Sequence, residues 1–594
     1  MPDKNESFLQ TLHQATQKRV DDFRHSLAYI DALPQLTLLG FISGVAAALL
    51  IVAFRILIDT PLHFLLPDGN DNFESLPIAW HFFLPFLGAI TIGIIFHFLK
   101  PQDRSVSVSH VLDRLHHHQG QMPLRNVIVQ FFGGAASLIT GQSVGREGPA
   151  VHLGAGAASL LGQWLQLPNN SLRILVGCGV AAAISASFNT PIAGVIFAME
   201  VVLMEYTITG FIPIILASAS GAVISQLAFG TSSSLSVSAI EMKSLWELPY
   251  MALAGLVIAV FAAAFLQLQL IVSRGRSLPI IFRFTLIGLV TGLLALFAPQ
   301  ILGLGYDSLN SAMLGEMSLR ILVVIVIAKL TATAVSTGLG IPGGLIGPCL
   351  VIGGCLGGIL GIIGNHLNPD QASNAGFYVT IGMAAMMGAV LNAPLAALMA
   401  VLELTYNPNI IFPSMMVIVV ACVITQQVFK CESIFVAQMR TAGTPLKSEP
   451  DRQVLSRVGV WSVMSTDFVM SKATISADEG KELLSKRPQW IVIEEEDADV
   501  FLLRAADLSQ FLETPSQDIL KKSEDENISF SLKEIPGQRY KMHPLHQRAN
   551  LFEVRQKLKQ VNGEVVYIER QNTNRRSSVL GVITNDMIEN YYSR

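Results

Sequence analysis

The chain has 594 residues, 51% of them hydrophobic and only 14% charged, with a formal net charge of −4. That is too long for one compact domain and too apolar for an ordinary soluble protein. With no dense basic patch, nothing points to nucleic acid. Cys178, Cys349, Cys355, Cys422 and Cys431 lack metal-ligand spacing and sit mostly in apolar runs, which suits small buried hydrophobes rather than a metal centre.

In chain order, residues 1–33 read as a polar N-terminal helix carrying Lys4, Lys18, Arg19 and Arg24, and the first apolar run starts too late for a cleaved signal. Apolar runs follow at 36–58, 78–99, 211–229, 250–272, 280–302 and 319–335. Each is long enough to cross a hydrocarbon core of ~30 Å as a helix. Basic residues sort by connector. The N-terminus and 100–125 are basic, 61–77 has no Lys or Arg, Arg274, Arg276 and Arg283 fall together, and 306–317 and 366–376 again have none. This places both termini in the cytoplasm, beneath a bacterial inner or plasma membrane. The run His116, His117, His118 lies in a polar connector and reads as solvated.

Between these spans the apolar sequence is broken by Gly and Pro in a repeating way. Gly148-Pro149 with Gly154 is matched 199 residues later by Gly347-Pro348 with Gly353. Gly179, Asn189-Thr-Pro191 and Glu200 are matched 203 residues later by Gly382, Asn392-Ala-Pro394 and Glu403. Two related halves, about 34–229 and 245–440, are expected, their broken helices meeting at a substrate site near the bilayer midplane. Irregular backbone at membrane depth must line protein or a watery cavity. Pro149 and Pro348 suit helix starts, whose free amides carry about +0.5 charge and hold a small anion without trapping it. Glu147, inside the break Gly145-Arg-Glu-Gly-Pro149, can take the anion's place until displaced or protonated. The plainer reading of Glu147 is a helix-capping carboxylate. Arg146 is expected to pair or cap backbone.

Gly145-Arg146-Glu147-Gly148-Pro149, Gly344-Leu-Ile-Gly-Pro348 and Phe188-Asn-Thr-Pro-Ile-Ala-Gly194 followed by Glu200 together resemble the CLC family of chloride channels and proton-coupled chloride exchangers. The resemblance implies an all-α polytopic membrane domain over 34–440, an inverted repeat of tilted, broken helices. It also implies a homodimer in the lipid bilayer with one chloride pathway per subunit, Glu147 as gate, and anion contacts from Gly145, Arg146, Gly148 and the amides of Leu345 and Ile346. Three positions depart from the family pattern. The first anion-binding segment falls near Arg104-Ser-Val-Ser-Val-Ser-His110, leaving the coordinating serine open between Ser105 and Ser107, or replaced by Val106. The family's central tyrosine corresponds to Phe435. The exchangers' second glutamate corresponds to Val201, beside Glu200, while Glu205 lies one turn on as an alternative proton route. Passive or weakly coupled conduction is therefore favoured over proton-coupled exchange, with fluoride export a more distant alternative.

After a linker at 441–457, short strands alternate with amphipathic helices, as in 463–468, 490–493 and 565–568, an α/β pattern. The segments 579–587 and 501–508 resemble the ends of CBS modules, expected at 458–515 and 537–594 with a connector at 516–536. Asp586 stands two rather than three residues after Thr584, so a structural or dimer-stabilising role is favoured over adenine-nucleotide binding, and no cofactor or metal is expected. Gly141-Gln-Ser143-Val-Gly145 matches a hydrolase nucleophile elbow, but in a Gly-broken apolar run it does not make an enzyme. Magnesium transport would need clustered membrane carboxylates, whereas Glu147, Glu200 and Glu403 are dispersed.

Overall fold

The computed structural model describes residues 27, 32–66, 72–230, 242–369, 372–446, 450–494, 500–513, 529–563, 565–570 and 578–592. The helix expected over 1–33 and most of the connector at 516–536 lie outside these. The chain divides into two compact units, one of 33–165 and 172–447, the other of 448–594 with 166–171 and the residues before 33.

The first unit is helical. Its first half runs α1 (Leu33–Leu65), α2 (Ile78–Phe98), α3 (Val108–His117), α4 (Leu124–Ile139), α5 (Glu147–Trp164), α6 (Asn169–Phe188), α7 (Pro191–Phe197) and α8 (Ile208–Phe229). Its second half runs α9 (Leu248–Ser273), α10 (Ile280–Ala295), α11 (Tyr306–Met313), α12 (Leu319–Leu339), α13 (Ile346–Leu367), α14 (Ala375–Leu391), α15 (Pro394–Thr405) and α16 (Ile411–Val423). The helix α17 (Ile434–Thr441) follows. Among the described residues, eight helices are long and apolar enough to cross a membrane. The run at 280–302 is not one of them. Its helix stops at Ala295 and a short turn at Pro299–Ile301 follows, as expected where a proline removes a helix donor. Conversely α6 and α13, whose glycines and polar residues interrupt their apolar runs, reach spanning length and are the most enclosed spans.

The repeat landmarks have local physical causes. Asn189 and Asn392 end α6 and α14 with φ of 59° and 56°, the left-handed conformation that asparagine tolerates at a helix end. Pro191 and Pro394 then open α7 and α15 at a position needing no N–H. Where α5 crosses α6, Gly154 and Gly179 each face the other's carbonyl, and Gly353 and Gly382 do the same where α13 crosses α14. A Cβ on any of the four would overlap backbone.

In the second unit, β1 (Phe468–Lys472), α18 (Ala477–Ser485), β2 (Trp490–Glu494), β3 (Val500–Arg504) and α19 (Ala505–Glu513) are followed by β4 (Arg539–His546), α20 (Leu551–Val561), β5 (Val565–Arg570), β6 (Ser578–Thr584) and α21 (Asn585–Tyr592). Leaving aside a separate two-stranded pairing of Thr474–Ser476 with Ser529–Ser531, the order strand, helix, strand, strand, helix thus occurs twice. Six strands form one sheet in the order β1-β2-β3-β4-β5-β6, with β1–β2 and β4–β5 parallel and β3–β4 joining the halves antiparallel. Leu455, Val458, Val460 and Met464 lie in the core of the second half, and Ser465 exchanges both backbone bonds with Val582 at 2.9 and 3.0 Å. The stretch expected to open the first module therefore completes the second.

Candidate anion pathway

The two Gly-Pro breaks meet. Gly145 and Gly344 exchange both backbone hydrogen bonds at 2.7 Å as an isolated antiparallel bridge. Beyond it α5 and α13 begin, with Pro149 and Pro348 each at the third helical position. The first donors used inside these helices are those of Ala150 and Cys349, so the earlier amides are free to face the junction.

Glu147, the first residue of α5, is buried at the junction. Its own N–H and that of Gly347 face its carboxylate, and a Cβ on Gly347 would stand 2.8 Å from Glu147 Oε1. Tyr306, opening α11, donates its hydroxyl to Oε1 at 3.3 Å, while Oε2 is buried without a partner. Among the described residues Arg146 makes no ion pair; its guanidinium lies 4.9 Å from the Phe188 ring and 5.8 Å from that of Tyr306. Tyr306 thus holds the carboxylate in place. Tyr306→Phe is expected to loosen it by about 0.5–1.5 kcal/mol and, with Glu147 as the gate that the sequence resemblance implies, to raise anion flux a few-fold at neutral pH, measured as efflux from vesicles.

Next to Glu147 in the chain, Gly148 borders a cavity of about 380 Å³, also lined by Ser105, Val106, Ser107, Leu345, Ile346 and Phe435, with Arg104, Arg276, Arg283 and His110. Ser107 has φ 82° and sits at the N-cap of α3 without using its hydroxyl there, its amide donating to Gln130 Oε1 at 2.8 Å. Ser105 lies two residues earlier, and both reach the cavity. Phe435, near the start of α17, is buried. Behind His110, His152 stacks at a ring separation of 5.1 Å, with 2.9 Å between nitrogens. Glu147 itself lines a second, apolar cleft of about 30 Å³ reaching Phe188, Ala193, Phe197, Ala396 and Leu404, enough for a water or two.

Glu200 and Glu403 take reciprocal positions. Glu200 accepts from the amides of Leu395 and Ala396, at the start of α15, at 3.3 and 2.7 Å. Glu403 accepts from Ile192 and Ala193, at the start of α7, at 2.8 and 2.7 Å. Each half's acid caps the other half's helix, where a carboxylate meets both free donors and the positive dipole end. Glu200→Gln and Glu403→Gln are expected to destabilise the protein comparably, by about 1–2 kcal/mol each, read as thermal unfolding in detergent. Val201 is buried, and Glu205 is held by Arg173 at 3.3 Å.

Sequence reasoning missed Tyr306 and Lys329. Buried Lys329 in α12 donates to the carbonyls of Ile301 and Gly303 at 3.2 Å, fixing the turn that delivers Tyr306; a lone cation in an apolar run was its signal. Ser143 bonds Thr333 Oγ1 at 3.0 Å between two helices, without the strand a nucleophile elbow requires. Among the described residues no group of three side chains could hold a metal.

The voltage gated chloride channel family model matches residues 87–426. A ClcB-like protein of Ralstonia nicotianae, named as a chloride channel, is 29% identical over 388 residues, 63% of this chain and 89% of that one. The H(+)/Cl(−) exchange transporter ClcA of Vibrio parahaemolyticus is 26% identical over 308 residues, 50% of this chain and 66% of that one, so the match spans about two thirds of that exchanger's length. Among solved structures, a slow cyanobacterial Cl−/H+ antiporter is similar at a TM-score of 0.61 and 21% identity, over 68% of this chain and 98% of that one. A eukaryotic CLC transporter is similar at 0.57 and 16%, over 93% of this chain and 98% of that one. At these identities the two structures bear on the fold alone. The family match covers more than half of the residues, the described residues hold eight membrane-length helices in paired repeats, a separate C-terminal α/β unit is consistent with a CBS-like pair, and this chain belongs to the voltage-gated chloride channel family of multi-pass membrane proteins.

Proposed function

We propose that chloride crosses through the junction of the two breaks, with Glu147 competing for the ion's place, and that conduction is passive or weakly coupled to protons. The supporting observation is the Glu147 carboxylate lodged where the Gly145–Gly344 bridge brings the starts of α5 and α13 together. In this reading Ser107 or Ser105, Gly148, Leu345, Ile346 and Phe435 line the inner approach, and Val201 puts no acid where a proton relay needs one. The cavity with Arg104, Arg276 and Arg283 faces the cytoplasm by the distribution of basic connectors, as do both termini. A homodimer with one pathway per subunit belongs to the same reading, and a single-chain mass in detergent would exclude it.

Proton-coupled exchange is the second reading. The apolar cleft behind Glu147 reaches Ala193 and Ala396, whose amides hold Glu403 and Glu200. Purified protein in liposomes under a chloride gradient decides between the two when chloride and proton movements are recorded together. Chloride efflux without a fixed opposing proton flux is expected. A fixed ratio establishes exchange, fluoride flux exceeding chloride flux establishes fluoride export, and absence of any halide flux rejects the pathway.

A further inference from the structure

We infer that the arginine-lined cavity beside the gate is a binding site for a small multivalent oxyanion, a free sulfate or phosphate, whose presence obstructs chloride. The inference rests on the chloride pathway proposed above.

A halide is a single spherical acceptor, whereas this cavity, at about 380 Å³, has the size of a small-molecule site. Arg104, Arg276 and Arg283 line it against one carboxylate, Asp113. Arg283 acts repulsively on Arg276, and Arg104 on Arg283, and a multivalent anion between them relieves that repulsion more than a monovalent one.

The three guanidinium groups are already oriented. Arg104 donates to the His97 carbonyl at 3.0 Å. Arg276 donates to Gly338 and Thr337 at 2.8 and 3.1 Å, and Arg283 to Leu339 at 3.2 Å. Ordering them on a ligand therefore loses little further freedom. The Nε donors of Arg104 and Arg283 are buried without an acceptor among the described residues, so the protein itself leaves both guanidinium groups incompletely satisfied. Planar guanidinium forks match tetrahedral and carboxylate oxygens in a way that they do not match a halide. His110, Ser107 and Gln438 supply further polar lining.

The site bears directly on transport. Thr337–Leu339, which Arg276 and Arg283 grip, lead straight into the break at 340–344, and Leu345 and Ile346 line the same cavity. An oxyanion there blocks access to the junction by volume and competes for its positive potential.

Chloride efflux from proteoliposomes is measured with sulfate, or with gluconate at matched ionic strength, on both sides. Half-inhibition by sulfate at millimolar concentration, relieved by raising chloride, is expected. Arg104→Gln and Arg283→Gln should each raise the half-inhibiting sulfate concentration at least tenfold. Equal effects of sulfate and gluconate, or unchanged inhibition in both variants, overturn the site. If Arg283→Gln does not fold, Arg104→Gln, which gives up one carbonyl contact, carries the test. Sulfate calorimetry on purified wild type and Arg104→Gln separates the two readings, because it reports the site even where no chloride flux is seen. Heat of binding lost in the variant supports the site, and none in either protein overturns it.

Discussion

Chloride flux through Glu147→Gln is expected to be high and nearly flat from acid to neutral pH, whereas wild-type flux falls as pH rises. The carboxylate sits among peptide N–H groups that the proposed anion would also use, and when it is ionised, charge-assisted hydrogen bonds of this kind are worth about 1.5–3 kcal/mol. Glutamine keeps the shape but not the charge, so it competes about as poorly as protonated glutamic acid. At about 1.4 kcal/mol per decade, the gain at neutral pH is roughly tenfold to a hundredfold. The sign follows from the proposed gate, in which the acid form is the open one: protons are expected to open the wild type, and the variant has no gate proton to gain. Efflux from liposomes across pH checks this, and an unchanged pH profile would reject the gate.

The second large effect lies at the helix crossings. Gly179→Val and Gly382→Val are expected to abolish the folded protein. At 179 the new side chain meets the Gly154 carbonyl and the Ala158 Cβ, and at 382 the Gly353 carbonyl and the Gly357 backbone. Overpacking usually costs about 1–3 kcal/mol when side chains can yield. Here backbone would have to move, against a total stability of only about 5–15 kcal/mol. Gly358→Ala is the control, since its Cβ would meet the flexible tip of Leu322 at 3.2 Å. Size-exclusion profiles and thermal melts in detergent separate the cases, and a monodisperse, stable Gly382→Val would show the crossing to be looser than drawn.

Much of this frame was legible because Gly, Pro and Asn act locally. A glycine at a close crossing, an asparagine in the left-handed region and a proline at a helix start leave the same marks in both halves. The Gly145–Gly344 meeting followed from those marks. The partners of Glu200 and Glu403 did not: they lie about 200 residues away, and a lone glutamate in an apolar stretch reads equally well as a proton carrier. Tyr306 was hidden for the same reason, its hydroxyl reaching Glu147 across the repeat boundary. In the second unit the alternation of strands and helices marked the elements, but the attachment of Val458 to the second half depends on pairing that no local pattern encodes.

The exchanged caps have an implication for ancestry. An interface in which each side lends one acid and borrows one helix start is self-complementary, so two identical, oppositely oriented copies of a single half would satisfy one another by the same contacts. Fusion of two such copies into one chain would then preserve every bond already made, leaving each half free to diverge only where it does not hold its neighbour.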